Sequence, residues 1–199
     1  MSNLHIIAPN DSPNTDGIDI GSSTNVFINN STIETGDDCI VINNGSSFIN
    51  ISGIFCGPGH GISVGSLGKN KKYATVEHVH GGSGYARNIT YENIILVGVK
   101  HPVIIDQFYD PRIINNIGQA VKVSDVTYLD IHGTSRGKNA IELNCDIIIG
   151  CTNIVLDNVN ITRVYGGKAQ TICTKAHGMC SSCYPDVPCL SQNSSIIRY

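Results

Sequence analysis

The chain has 199 residues, 41% of them hydrophobic and only 15% charged, which is enough for one domain with a well-buried core. This balance excludes a disordered chain and a charged coiled coil. The net charge is −3 without a basic stripe, which argues against a nucleic-acid partner, and the apolar runs are too short to span a bilayer. With 21 glycines and no tryptophan, the composition is typical of β-structure with many turns.

Eight cysteines in a chain of this size indicate an oxidising compartment. Four Asn-x-Ser/Thr sequons, at Asn30, Asn50, Asn88 and Asn160, add to the case for a secreted glycoprotein. The start, MSNLHIIAPNDSPN, has neither the charged nor the apolar region of a signal peptide, so we expect that signal on a missing upstream segment. A reduced cytosolic protein with buried thiols is the alternative.

A short unit recurs along the chain, in which one aliphatic residue follows another after five positions. Polar residues lie between the two, so each unit predicts a strand with an inward aliphatic face and an outward polar face. The pairs are Ile28/Ile33, Ile49/Ile54, Ile89/Ile94, Val126/Ile131 and Ile154/Val159. Further short strands are predicted at residues 39–42, 61–64, 103–106 and 140–143.

Units of roughly 20–40 residues without helical linkers predict an all-β solenoid, a parallel β-helix. An antiparallel sandwich of short strands is the alternative, but hairpin signals are missing from the junctions. The repeat is interrupted once, because Val79 resembles the start of a unit and the next start, Ile89, follows only 10 residues later. Since 10 residues cannot complete a turn of the solenoid, or coil, we expect about one coil to be missing there.

Candidate catalytic groups recur at equal intervals. Asp16 in NTDG, Asp38 in GDDC and His60 in GHG lie 22 residues apart, twice in succession. If one coil takes about that many residues, all three stack on one face of neighbouring coils. Carboxylates crowded there with Asp37 cannot all ionise independently, and a retained proton is what acid–base cleavage of a glycosidic bond requires. A solvated turn and a calcium site are the alternatives for such a cluster.

The segments NTDGIDI (14–20), GDDCIVI (36–42) and CGPGHGISVGSLG (56–68) resemble the signature blocks of the plant polygalacturonases of glycoside hydrolase family 28. Residues 81–96, 102–110 and 180–190 are similar to that family too, so the resemblance covers nearly the whole chain. It implies a right-handed parallel β-helix that hydrolyses the α-1,4-linked galacturonan of pectin with inversion. No metal or other cofactor is implied, and we expect a secreted monomer acting in a cell wall.

By that resemblance Asp37 is the general acid, Asp16 and Asp38 activate the water, and His60 supports the acid or the bound sugar. Inversion requires the acid and base carboxyls to be roughly 6.5–9.5 Å apart, which leaves room for the water. By the same resemblance Tyr109 in DQFYD is a candidate for the substrate site, and Asn14 in NTD is a candidate that fits a structural role beside the site better. Lys69 is a further substrate candidate because it is close to the site in sequence and could supply positive charge, with a solvated loop face as the alternative.

The chain departs from the family in two places. The resemblance begins part-way into the family domain, so we expect the N-terminal part of that domain to be missing. An Arg-Ile-Lys block that precedes GGSGYARN in the family has no counterpart in this sequence. Residues 74–80 run directly into that segment here, where the repeat is also interrupted. The Arg and Lys would bind a sugar carboxylate, so their loss predicts weaker activity. The rival hypothesis is therefore an inactive homologue that at most binds pectin.

The cysteines fit structural disulfides better than metal ligands. Cys39–Cys56 would join successive coils beside the site, and Cys145–Cys151 would close a short loop. Three pairings are open to Cys173, Cys180, Cys183 and Cys189. A zinc site is disfavoured because no second ligand pair lies at a suitable spacing. We expect a single domain over residues 1–199, with a Cys-rich tail from about residue 173.

Overall fold

A computed structural model describes residues 1–65, 84–107 and 121–192. These residues form fourteen β-strands, and none of them lies in a helix that could cross a membrane. The strands are β1 (His5–Ile7), β2 (Ile18–Ile20), β3 (Thr24–Glu34), β4 (Asp38–Ile42), β5 (Ser46–Cys56), β6 (Gly61–Val64), β7 (Tyr85–Val99), β8 (Val103–Asp106), β9 (Lys122–Ser135), β10 (Asn139–Asn144), β11 (Cys151–Arg163), β12 (Gln170–Thr174), β13 (Ala176–Tyr184) and β14 (Ser191–Gln192).

The strands form two sheets in which neighbouring strands run parallel. One is eight-stranded, in the order β1-β3-β5-β7-β9-β11-β13-β14, and the other is six-stranded, in the order β12-β10-β8-β6-β4-β2. Up to β13 the chain alternates between the sheets, so each coil adds one strand to each. This is a parallel β-helix, as predicted, and the antiparallel alternative is wrong. The four predicted short strands correspond to β4, β6, β8 and β10.

Four of the five predicted aliphatic pairs stack in register. The first members pair in succession across β5, β7, β9 and β11, and the second members do the same. Their side chains are buried, which agrees with an inward aliphatic face. The two stacks are Ile49-Ile89-Val126-Ile154 and Ile54-Ile94-Ile131-Val159.

The first predicted pair, Ile28/Ile33, is out of register. Val26 and Ser31 occupy the equivalent positions, since they pair with Ile49 and Ile54. The aliphatic pattern missed this because Ser31 is polar although it is buried. Its hydroxyl accepts a hydrogen bond from the Leu4 amide and donates one to the Asn29 carbonyl. The buried hydroxyl therefore has hydrogen-bond partners that replace water.

The long strands of the eight-stranded sheet bend at equivalent positions, and these bends stack from coil to coil. At one of these bends successive coils carry residues with φ between 47° and 66°, a left-handed conformation that Asn, Asp and Gly tolerate best. The side chains also bond between coils, since Asn158 Nδ2 donates to Asp130 Oδ1 at 2.6 Å. Much of the asparagine-rich composition therefore serves to turn the chain. The stacked residues are Asn30, Gly53, Asn93, Asp130 and Asn158.

The core fills the space between the two sheets with aliphatic side chains and one aromatic pair. Tyr91 and Tyr128 are fully buried on β7 and β9 and stack with ring centroids 5.2 Å apart. The Tyr91 hydroxyl donates to the Ser63 carbonyl at 3.0 Å. Because Ser63 lies on β6, this hydrogen bond fixes the eight-stranded sheet against a strand of the six-stranded sheet.

The interruption predicted at residues 74–80 lies outside the described residues, but the strands on either side of it are described. Strand β6 pairs directly with β8, and β5 pairs directly with β7. Neither sheet holds another described strand between these partners. The coil of Gly59 and His60 is therefore followed immediately in space by the coil of Lys100 and His101.

Candidate active site

The residues predicted to carry chemistry lie at the N-terminal ends of three neighbouring strands. Asp16 precedes β2, Asp38 begins β4, and His60 precedes β6. The Gly17 amide donates to the Asp38 carbonyl, and the His60 amide donates to the Asp37 carbonyl, each at 2.8 Å. The 22-residue interval thus corresponds to one coil, and the four predicted groups lie on three successive coils.

Glycine permits the close approach of these coils. Gly59 has a φ of 152°, and a Cβ there would lie 2.5 Å from the Asp37 carbonyl oxygen and 2.7 Å from that of Thr35. Only a residue without a side chain fits such a position. The GHG sequence therefore holds His60 against the backbone of the Asp37–Asp38 turn.

A disulfide holds the same turn from the other side. Cys39, which follows Asp38, is bonded to Cys56 at the end of β5, and both residues are fully buried. The bond links the two sheets beside the His60 loop. The remaining disulfides are Cys145–Cys151, Cys173–Cys189 and Cys180–Cys183, which selects one of the three pairings left open for the Cys-rich tail.

Asp38 is the carboxyl group whose titration the site changes most. Burial raises its pKa to about 7, the negative charges of Asp16 and Asp37 add to the rise, and a hydrogen bond from Ser63 Oγ to Asp38 Oδ2 at 2.8 Å opposes it. Asp16 Oδ1 accepts a hydrogen bond from the Asp38 amide at 3.2 Å. A carboxyl group with this pKa can keep its proton close to neutral pH.

His60 is bonded to the predicted acid. Its Nδ1 lies 2.5 Å from Asp37 Oδ1, and both side chains are partly exposed, at 32% and 21%. Burial lowers the pKa of His60, while the negative charge of Asp37 opposes that change. The imidazole is therefore placed to orient the Asp37 carboxyl group and to exchange a proton with it.

Two further residues extend the site, and the sequence reasoning missed them. The His101 amide donates to the His60 carbonyl at 2.7 Å, and the two imidazole rings meet edge to face with centroids 5.4 Å apart. On the next coil, Glu142 Oε1 lies 2.8 Å from His101 Nδ1. The sequence held a signal, since HGISV and HPVII each place a histidine two residues before an aliphatic residue. Those aliphatic residues, Ile62 and Val103, pair in the structure.

Comparison with known families identifies the chain. The profile described as "Glycosyl hydrolases family 28" matches residues 1–81 and 78–183. The chain belongs to glycoside hydrolase family 28. The two matched segments meet at residues 78–81, next to the interruption predicted at Val79.

Several curated relatives of this family 28 chain are plant proteins. A probable polygalacturonase of Arabidopsis thaliana is 42% identical over 98% of this chain and 49% of its own length. A polygalacturonase of Chamaecyparis obtusa is 43% identical over 91% of this chain and 39% of its own length. An exopolygalacturonase of Zea mays is 39% identical over 95% of this chain and 52% of its own length. The chain spans about half the length, or less, of these relatives.

The alignments also bear on the missing coil. The alignment with the Arabidopsis relative is 222 positions long, whereas this family 28 chain has 199 residues. More than twenty positions of the alignment therefore have no counterpart here, which is about the length of one coil. This agrees with the direct pairing of β6 with β8.

Metal binding is the remaining chemical option for the cluster. Asp37, Asp38 and His60 each offer one ligand atom, and these atoms lie within 4.8 Å of one another. However, His60 Nδ1 already contacts Asp37, and Asp38 Oδ2 accepts the hydrogen bond of Ser63. In the described structure these ligand atoms are thus already engaged with protein groups.

Of the three predicted substrate residues, only Asn14 lies among the described residues. Asn14 is exposed two residues before Asp16, with a left-handed φ of 50°. Tyr109 and Lys69 lie outside the described residues. The described part of the site thus consists of the carboxyl groups and the two histidines.

Proposed function

We propose that this chain carries the acid–base site of a polygalacturonase and hydrolyses the α-1,4-galacturonosyl linkages of pectin with inversion. The observation that supports it is the group of Asp16, Asp37, Asp38 and His60 on three neighbouring coils of a family 28 chain. The names of the relatives support the same substrate.

Inverting hydrolysis needs a protonated carboxyl group at the leaving oxygen and an ionised one that activates water on the opposite face. The family resemblance assigns the acid to Asp37 and the water to Asp16 and Asp38. The pKa of about 7, however, belongs to Asp38. If Asp38 activates water, kcat/KM should rise with pH through about 7, because only the ionised form is active. If Asp38 is the acid, kcat/KM should fall over the same range.

The decisive experiment is release of reducing sugar from de-esterified polygalacturonate, with Asp37→Asn as the inactive counterpart. We expect the substitution to lower kcat by about 10²–10⁴-fold, as for loss of a general acid. Asp130→Asn, on the eight-stranded sheet, should leave activity intact. A folded wild-type chain that releases no sugar, or equal activity in Asp37→Asn, contradicts the proposal.

Secretion to the cell wall is part of the same proposal. All eight cysteines are in disulfides, which supports an oxidising compartment. Immunodetection of the endogenous protein in wall and cytosol fractions of the cells that produce it tests this proposal, and a protein found in the cytosol alone would contradict it. A monomeric state without nucleic-acid or membrane partners stays a prediction.

A second candidate function is pectin binding without hydrolysis. The direct pairing of β6 with β8 favours it, because no described strand lies between the coil of His60 and that of His101, where the family's Arg-Ile-Lys block is expected. More than twenty positions of the Arabidopsis alignment also have no counterpart in this chain. Calorimetric titration with trigalacturonate separates the two candidates. Binding by a folded chain that releases no reducing sugar would establish the second.

A further inference from the structure

The coil after His60 presents a second histidine on the same face as the carboxyl cluster. The Lys100 amide donates to the Gly59 carbonyl and the His101 amide to the His60 carbonyl, each at 2.7 Å. These two residues therefore occupy on their coil the positions that Gly59 and His60 occupy on theirs. Edge-to-face contact of the imidazoles places His101 beside the group that bonds Asp37.

Glu142 orients the imidazole of His101. Its Oε1 lies 2.8 Å from His101 Nδ1, and the two side chains are only 32% and 20% exposed. A carboxylate at one ring nitrogen fixes the proton there and sets the direction of the ring. The other ring nitrogen, Nε2, is then the atom that can meet a ligand.

The charge of this coil complements a polyanion. The positive charge of His101 lowers the pKa of Asp38 and that of His60, and exposed Lys100 also lowers the pKa of His60, so both act electrostatically on the cluster. Galacturonan carries one carboxylate on every sugar, and three aspartates at the cleavage point would repel it. A cation next to that point can hold the sugar against this repulsion.

We propose that His101, oriented by Glu142, binds the carboxylate of the galacturonate unit next to the scissile bond, with Lys100 adding positive charge at the rim. This inference rests on the proposed function, since it takes the ligand to be galacturonan. The observation that supports this inference is the direct pairing of β6 with β8, because it brings His60 and His101, 41 positions apart in the sequence, into contact.

The test is calorimetric titration of trigalacturonate at pH 5 into Asp37→Asn, which does not turn the ligand over. Adding His101→Ala should raise Kd by about 10–100-fold, the range for loss of a charge-assisted hydrogen bond. His101→Lys restores a cation and should recover most of the affinity. His132→Ala removes an exposed histidine on the eight-stranded sheet and should leave Kd unchanged.

Glu142→Gln is the second variant, in case the alanine variant fails to fold. Its amide oxygen can still accept from His101 without the negative charge, so Kd should rise by a smaller factor, about threefold. The fully methyl-esterified trimer identifies the group that is bound. It should bind the parent weakly, and His101→Ala should leave that weak binding unchanged.

The outcomes separate the inference from the function on which it rests. Unchanged Kd in both His101→Ala and Glu142→Gln, equal losses for the acidic and esterified trimers, or no binding by the parent would each overturn the role of His101. Binding that depends on His101, in a wild-type chain that releases no reducing sugar, would support the inference and contradict the proposed hydrolysis.

Discussion

Two aspartates show how differently the two sheets use the same side chain. Asp38, on the six-stranded sheet, is half-buried between other carboxylates, and its pKa rises to about 7. Asp125, on the eight-stranded sheet, accepts hydrogen bonds from Asn153 Nδ2 at 2.8 Å and from Ser124 Oγ at 2.7 Å, and these lower its pKa. The fold thus destabilises the first anion and stabilises the second.

The same contrast extends to the neighbours of each aspartate. On the eight-stranded sheet, Asn, Asp and Gly occupy left-handed bends and bond from coil to coil, so the polar residues stabilise the solenoid. On the six-stranded sheet, Asp16, Asp37 and Asp38 lie close together at the N-terminal ends of two neighbouring short strands, β2 and β4. Perturbed groups of this kind concentrate at functional sites, where chemistry is retained at a cost in stability.

The largest effect is expected at one of two glycines that we compare. Gly59 lies just before β6 of the six-stranded sheet, and Gly53 lies at a bend in β5 of the eight-stranded sheet. Gly59→Ala should lower the free energy of unfolding by about 5 kcal/mol, because the new Cβ meets two backbone carbonyls at a strained φ. Gly53→Asn should change it by less than about 1 kcal/mol, since its stacked neighbours Asn30 and Asn93 hold the same left-handed conformation. Urea denaturation measures both.

The glycine comparison also has an outcome that would break it. A Gly53→Asn variant as unstable as Gly59→Ala would mean that the bends of the eight-stranded sheet need glycine for space, not for φ. The Cβ position argues otherwise, because the nearest atom to it is Asn30 Oδ1, the movable end of a side chain, at 2.8 Å.

The second prediction concerns the sign of a pH dependence. The folded pKa of Asp38, about 7, lies above its ordinary 3.8, so its contribution to stability is complete below about pH 3.8 and is lost as pH rises through 7. Asp38→Asn should therefore be more stable than wild type by on the order of 4 kcal/mol at pH 8, and equal to it at about pH 3. Denaturation in urea at both pH values measures this difference.

Asp125→Asn is the matched control and should behave in the opposite way. Because its pKa is lowered, the ionised form stabilises the fold above the ordinary pKa of 3.8, and that contribution is lost as pH falls. Asparagine there should reduce stability at pH 8 and have no effect at low pH. If Asp38→Asn does not raise the free energy of unfolding at pH 8, the fold does not destabilise the Asp38 anion.

The sequence predicted the solenoid because short β-strands, turn residues and the lack of helical periodicity all agree on it. It predicted the Asp16–Asp38–His60 alignment because the interval equals one coil. It failed at Ser31, where a buried polar residue interrupts the aliphatic pattern. It also failed at His101, because β6 and β8 are separated by a longer interval, so the 22-residue spacing did not point to their pairing.

Which of the two adjacent aspartates has a raised pKa could not be predicted from the sequence. Asp37 and Asp38 are adjacent in the chain, and no pattern of residue types says which one is buried against Ser63. Burial and hydrogen bonding are consequences of how three coils meet. They decide which carboxyl group keeps a proton, and with it the role that each can have.

The smallest expected effect compares two disulfides with fully buried cysteines. Replacing Cys39 and Cys56 together by alanine should lower the free energy of unfolding by about 3 kcal/mol, and replacing Cys145 and Cys151 by about 2 kcal/mol, because the first pair spans 17 residues and the second 6. Chemical denaturation under non-reducing conditions measures both. The loss of packed sulfur atoms is similar in the two, so the difference reports the closed loops.

Activity should separate the two disulfide variants more clearly than stability does. Cys39 follows Asp38, and Cys56 precedes the loop of His60, so loss of this bond frees the acidic turn relative to the imidazole that orients it. Misplacement of a catalytic group by about 1 Å can cost on the order of 10²-fold in rate. The Cys145/Cys151 variant should keep its kcat. Equal losses of kcat in the two variants would mean that the disulfide beside the site acts on the whole fold and not on the geometry of the acid.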